Sequence, residues 1–140
     1  MAEAINGDLM SPDLQAALLC EDVRTEIAGQ QSLIGVLSAI PAPALPVRIM
    51  KLCLWTRWGN GVGRFNQRSL ILDGDEEVIA KAEVTFALKE LNSHATNVHF
   101  FGGLQFPKYG VYHVEIHLDE DLRQRFPLAV VQIKQNPHGS

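Results

Sequence analysis

The sequence predicts an all-β domain, built as a two-layer antiparallel β-sandwich of about eight strands. Two segments, Glu77–Leu88 and Val111–Asp119, alternate between apolar and polar residues, which is the pattern of a strand with one buried face. Turn-forming residues recur between evenly spaced apolar segments, and no segment shows convincing helical spacing. A chain of 140 residues is long enough for one such domain to bury its own core.

The strands follow in chain order from this pattern. They are predicted at Ala16–Arg24, Ser32–Ser38, Arg48–Trp58, Gly63–Asp73, Glu77–Leu88, Thr96–Phe106, Val111–Asp119 and Phe126–Ile133. In the two alternating strands the apolar side carries Val84, Phe86, Tyr112, Val114 and Ile116. We expect these five side chains to face the core.

Short turns between the strands predict that most neighbours are antiparallel. Residues 28–30 separate the first two strands, while Gly59-Asn60-Gly61 and Asp73-Gly74-Asp75 have the composition of hairpin turns. Three prolines between residues 41 and 46 lack amide donors, so this segment is predicted to be a stiff crossing between sheets. A barrel is the alternative architecture.

The chain ends are predicted to lie outside the domain. Residues 1–14 and 135–140 are expected to be poorly ordered around a single domain of residues 15–134, with a possible short helix starting at residues 11–13. The first residues lack a basic segment followed by an apolar one, and no apolar run is long enough to span a bilayer. We therefore expect a cytoplasmic protein without a membrane partner.

A glycine precedes Tyr112 by two residues at the start of the seventh predicted strand. This resembles the tyrosine corner of immunoglobulin-like sandwiches, in which the phenol bonds backbone a few residues upstream. The segments Ala17–Arg24, Ser32–Val36 and Phe106–Tyr112 together resemble an uncharacterised bacterial family of small β-sandwich proteins, over residues 16–133. The resemblance implies an immunoglobulin-like fold with a structural role for Tyr112, and it implies no activity.

The middle of the chain is basic although the whole chain has a formal charge of −4. Residues 27–72 contain five Lys or Arg residues and no Asp or Glu. Within residues 48–68 the candidates for an interface or ligand site are Trp55, Arg57, Trp58, Arg64 and Arg68. Aromatic rings beside guanidinium groups can stack on bases or sugars, and they are also enriched at protein interfaces. A solvated strand face with a structural tryptophan is the simpler interpretation, and the pI of about 5.7 disfavours nucleic acid.

The sharpest local cluster of chemical groups is His113, Glu115 and His117. Alternate residues of a strand share one face about 6.6–6.8 Å apart, so neighbouring imidazole and carboxylate groups could share a metal ion. A complete site would need a further ligand from another strand, and His99 is the candidate. The alternative is a polar strand face in contact with solvent.

No established enzyme signature is present. Gly59, Gly61 and Gly63 do not form a dinucleotide-binding loop, because Arg64 stands where the motif requires a glycine and no helix is predicted to follow. No P-loop, nucleophile elbow or zinc-protease motif occurs. Cys20 and Cys53 are predicted to be small buried apolar residues. We therefore predict a non-enzymatic binding or assembly module without a cofactor, whose partner is another protein or a second copy of the chain. An enzyme using the strand histidines and an anion or single-stranded nucleic-acid binder using residues 48–68 are the alternatives.

Overall fold

The structure, a computed structural model, describes residues 9–134 as nine strands without a helix. The strands are β1 (Asp13–Thr25), β2 (Gln31–Leu37), β3 (Ala39–Ala42), β4 (Val47–Gly59), β5 (Gly63–Leu72), β6 (Val78–Leu88), β7 (His94–Phe106), β8 (Gly110–Leu118) and β9 (Asp121–Gln132). Among these residues there is accordingly no helix of the length and apolarity required to span a membrane.

The nine strands form two sheets. The four-stranded sheet has the order β2-β1-β4-β7 and is curled into a half-barrel, and the five-stranded sheet has the order β3-β9-β8-β5-β6. Every pairing is antiparallel except that of β3 with β9. The prediction of an all-β fold with mostly antiparallel strands is confirmed, and one strand is added to the predicted eight.

The added strand lies in the proline-containing segment that was expected to be only a crossing. Ala39–Ala42 pairs in parallel with β9, from Ala39 opposite Ala129 to Ala42 opposite Gln132. Pro41 is compatible with this strand because β3 is at the edge of its sheet, where a missing amide donor breaks no central ladder. A single residue, Ser38, separates β3 from β2, so the chain changes sheet almost without a loop.

One predicted hairpin is wrong. Gly59-Asn60-Gly61 joins β4 in the four-stranded sheet to β5 in the five-stranded sheet, so the two strands are not neighbours. Residues 10–12 pass so close to this crossing that a Cβ atom at Gly61 would lie 2.7 Å from the carbonyl oxygen of Met10. The other two predicted turns do connect paired antiparallel strands, β1 with β2 and β5 with β6.

Residues 9–14 are attached to the domain, and β1 begins at Asp13 where a helix start was considered. Met10 forms a bridge with Val62, and Arg123 donates to the carbonyl oxygen of Pro12 at 2.7 Å and to the Ser11 hydroxyl. The predicted boundary at residue 15 therefore falls inside a strand. Residues 1–8 and the predicted tail 135–140 lie outside the described residues.

Side chains from both sheets make one core. Of the predicted inward residues, Tyr112, Val114 and Ile116 are buried, as predicted for β8. Val84 and Phe86 are only half-buried because β6 is an edge strand, although Phe86 still packs against the core. The fully buried large side chains include Trp58, Phe106, Leu52, Leu54, Ile71 and Leu128.

Candidate functional site

The outer side of the four-stranded sheet carries a continuous set of apolar side chains. Leu19, Leu37 and Leu54 point into the core, so by alternation their neighbours along each strand point outward. We call this outer surface the apolar face, and its members are Leu18, Cys20, Ile34, Val36, Cys53, Trp55, Val98 and Phe100. The strand register aligns Val36, Cys20, Cys53 and Phe100 in one cross-strand row.

Four of the eight members of the apolar face are exposed to solvent. Phe100 is 58% exposed, Val36 is 55% exposed and Leu18 is 41% exposed. Single exposed apolar side chains are ordinary, but a contiguous group on one face is typical of an interaction surface.

Charged and polar groups border the apolar face. Lys51 donates a hydrogen bond to Asp22 at 2.6 Å, and its ammonium group lies 5.2 Å from the centre of the Phe100 ring. The hydrogen bond from Lys51 is the main cause that lowers the pKa of Asp22. Trp55 donates its indole N–H to Gln31 at 2.8 Å, which fixes the ring beside the exposed Arg57.

The five aromatic and basic residues predicted as one interface or ligand site do not form one surface. Trp55 and Arg57 lie on the outer side of the four-stranded sheet, whereas Trp58 is fully buried in the core. Arg64 and Arg68 are on β5, where they alternate with the buried Phe65 and therefore point outward from the other sheet. The separation arises because the chain crosses between the sheets at residues 60–62.

The histidine cluster on β8 is engaged by neighbouring side chains. The Nε2 atom of His117 lies 2.9 Å from one oxygen of Glu115, and Arg125 donates to the other oxygen at 2.5 Å. Arg125 also forms a two-pronged ion pair with Glu76 at 2.7 and 2.9 Å. Burial raises the pKa of Glu115, but the hydrogen bonds from His117 and Arg125 outweigh it and the pKa is lowered. His113 lies on the same outer side of the strand.

His99, the proposed further ligand, is not near this cluster. It lies on β7 in the other sheet and is 6% exposed on the inward side. The four predicted metal ligands therefore do not meet. Within residues 9–134 no group of three His, Cys, Asp or Glu side chains is placed to hold a metal ion.

A buried polar network between the sheets was missed by the sequence analysis. The side-chain oxygen of Gln67 accepts hydrogen bonds from Thr56, Trp58 and Asn97 at 2.8–3.0 Å, and its nitrogen donates to Ser69 at 3.0 Å. Gln67, Thr56 and Ser69 are fully buried. Gln67 and Ser69 occupy inward positions in the alternation of β5, and this pattern was the available signal. Both polar side-chain atoms of Gln67 have partners, and the bonds to Thr56, Trp58 and Asn97 connect the two sheets.

His99 lies on the inward side of β7, two residues after Asn97. Both ring nitrogens are buried without a hydrogen-bond partner among the described residues. Burial lowers the pKa of this imidazole because the charged form is poorly solvated there.

The two cysteines lie directly opposite each other in the centre of the apolar face. Cys20 on β1 and Cys53 on β4 are Cα partners, both are free thiols and both are fully buried, as predicted from their apolar neighbours. Burial is the main cause that raises the pKa of each thiol.

Comparison with known proteins gives one match to a family and several to solved structures. The model of a family of unknown function, DUF6941, matches residues 15–131. No curated protein matches this sequence.

The structural matches are distant. A mutant β-glucosidase from Listeria innocua in complex with laminaribiose has 10% sequence identity and a TM-score of 0.49, over 89% of this chain and 17% of that chain. A β-glucosidase from Listeria innocua in complex with glucose has 11% identity and a TM-score of 0.46, over 86% of this chain and 16% of that chain. The chain thus spans about a sixth of the length of these proteins.

Proposed function

This chain belongs to the DUF6941 family of unknown function, and from that premise we propose that it is a non-enzymatic assembly module that pairs with a second copy of itself. The observation that carries the proposal is the apolar face, on which Phe100, Val36 and Leu18 are more than two-fifths exposed. Burying a large apolar side chain is worth about 1.5–3 kcal/mol, so covering this face would stabilise a dimer.

A second copy is the favoured occupant because the face carries charges of both signs. Lys51 and Asp22 lie side by side at its border, and an interface around a two-fold axis brings the same patch of both copies together. Lys51 of one copy can then approach Asp22 of the other without leaving a buried charge unpaired. A face bordered by one sign of charge would instead favour a partner of opposite charge.

The two alternative functions receive less support. An acid or base at Glu115 would have to give up its bonds to His117 and Arg125, and a polyanion would have to reach basic residues on two different sheets. Each would require a rearrangement that pairing through the apolar face does not.

We also propose an immunoglobulin-like fold, a cytoplasmic location and a bacterial origin for the family. An immunoglobulin-like sandwich is supported by the bond from Tyr112 to the backbone of Lys108. A cytoplasmic location is supported by two cysteines that are free thiols, since secreted small domains usually pair them. The bacterial origin of the family rests on the sequence resemblance alone.

Sedimentation equilibrium of the whole chain tests the proposal. The wild type should dimerise, and Phe100→Lys should weaken the dimer at least about tenfold because it buries an ammonium group in the interface. Ala87→Lys is the matched control, since Ala87 is exposed on the outer side of β6 in the other sheet. Thermal unfolding checks that both variants are folded.

A wild-type chain that stays monomeric at high concentration would overturn the proposal and leave a different protein as the occupant of the face. A dimer weakened equally by both substitutions, or by neither, would also overturn it, because the contact would then lie elsewhere.

A further inference from the structure

The opposed cysteines meet the backbone requirement for a disulfide. Cys20 and Cys53 are Cα partners in the antiparallel pair β1–β4. Directly opposed residues have Cα atoms about 4.5–5.5 Å apart, and disulfides are found at about 4.4–6.8 Å. No backbone movement of several ångströms is needed to join these two residues.

The two thiols are chemically unequal. Burial raises the pKa of both, but the ammonium group of Lys51 acts in the opposite direction on Cys53 and favours its thiolate. Cys53 is therefore the better placed of the two to react first.

We propose that Cys20 and Cys53 are a redox modification site, at which a low-molecular-weight disulfide converts the two thiols into a reversible intramolecular disulfide. The Cys53 thiolate attacks one sulfur of the small disulfide and releases one thiolate, which leaves a mixed disulfide on Cys53. The Cys20 thiolate then attacks the Cys53 sulfur, forms the internal bond and releases the second thiolate. The cysteines lose two electrons and two protons, and the small disulfide becomes two thiols.

The position in the sheet makes the bond reversible. Cβ atoms of directly opposed residues lie about 4.5–5.5 Å apart, whereas a disulfide prefers about 3.5–4.5 Å. The strands must therefore come closer locally, and a bond held under such strain is reduced more readily.

The surroundings make the reaction slow in the intact sheet. Both thiols are fully buried, and the same cross-strand row contains Val36 on β2 and Phe100 on β7. These two strands are the edges of the four-stranded sheet, so each is hydrogen-bonded to one neighbouring strand within that sheet. Oxidation is expected to follow local opening of an edge rather than global unfolding.

The experiment is an incubation of the reduced full-length chain in buffers of oxidised and reduced glutathione, followed by acid quenching, alkylation and mass spectrometry. We expect both free thiols to disappear, with loss of the mass of two hydrogen atoms, and both to return with dithiothreitol. The product should run as a single chain in a non-reducing denaturing gel. Two thiols that stay free, or products that are only glutathione adducts or linked chains, would overturn the proposal.

A variant with one cysteine moved along its strand shows whether the internal bond forms in the folded chain or in unfolded molecules. Combining Cys20→Ala with Leu18→Cys keeps two thiols but moves one of them two residues along β1, to the position opposite Trp55. The new thiol is then diagonal to Cys53, about 7–8 Å away and too far for a disulfide in the folded chain. We expect adducts and no internal bond, and internal oxidation as fast as in the wild type would overturn the proposal. The incubation is run at low protein concentration, where a dimer through the apolar face would dissociate, so that pairing does not shield the two thiols.

Discussion

The hydroxyl of Tyr112 donates a hydrogen bond to the carbonyl oxygen of Lys108 at 2.9 Å and accepts one from the amide of the same residue at 3.2 Å. The phenol ring is buried and meets the ring of Phe106 edge-on, with centroids 4.9 Å apart. These contacts hold the chain where it passes from β7 in one sheet to β8 in the other. The predicted bond between this tyrosine and upstream backbone is confirmed.

Replacing Tyr112 by Phe should lower the free energy of unfolding by about 1–3 kcal/mol, because both polar groups of Lys108 lose their partner while the ring remains. Urea unfolding monitored by fluorescence measures the change. A loss below about half a kcal/mol would mean that water replaces the hydroxyl without cost.

Replacing Gln67 by Met should cost roughly 2–5 kcal/mol, since the buried donors on Trp58 and Asn97 lose their acceptor, while the Thr56 hydroxyl keeps its bond to the carbonyl oxygen of Asn97. The matched control is Gln105→Met at an exposed position of β7, with an expected change within about 0.5 kcal/mol. Equal effects of the two substitutions in urea unfolding would contradict a stabilising role for the network.

Stability should depend on pH through His99. Burial lowers the pKa of this group from its usual value of 6.5, so the unfolded chain binds a proton that the folded chain does not. The free energy of unfolding is therefore at its full value above pH 6.5 and falls as the pH drops through 6.5 toward the folded pKa.

The measurement is urea unfolding from about pH 7.5 to about pH 5. His99→Leu should flatten the profile in this range, whereas His94→Gln, at an exposed position of the same strand, should leave it unchanged. A slope that persists in His99→Leu would assign the dependence to another group.

The contribution of Trp55 to the proposed dimer can be separated from that of its hydrogen bond. Trp55→Ala should weaken the dimer by more than about 1 kcal/mol, which is the usual effect of truncating a buried aromatic anchor. Trp55→Phe keeps a ring but loses the bond to Gln31, so it should retain most of the affinity. If Trp55→Ala leaves the dissociation constant unchanged, the contact is made by a strand edge or by another part of the face.

The buried side of a strand could be predicted from the sequence where apolar and polar residues alternate along that strand. The alternation of Tyr112, Val114 and Ile116 with polar residues determined which side of β8 is buried, because a half-buried strand exposes every second residue. The same rule applied to β5 would have placed Gln67 and Ser69 inside. They were missed because polar side chains are not expected in a core until their partners on other strands are known.

Contacts between distant strands could not be predicted. The row that joins Val36, Cys20, Cys53 and Phe100 depends on the register of four strands, which no local spacing determines. The tight turn from β8 to β9 could not be predicted from its residues either. Asp119 and Glu120 adopt positive φ there, where glycine or asparagine is usual. The histidine cluster showed which residues share a face but not that Arg125 engages Glu115.

The parallel pairing of β3 with β9 has a consequence for how the chain reaches its native state. Residues 39–42 have no sheet partner until residues 129–132 are present, so a chain emerging from the ribosome cannot complete the five-stranded sheet before residue 132 has been made. Such a long separation along the sequence raises the contact order, and topologies of this kind fold in milliseconds to seconds. Until then residues 39–42 have no strand to pair with, and chaperones or a second nascent chain could contact them.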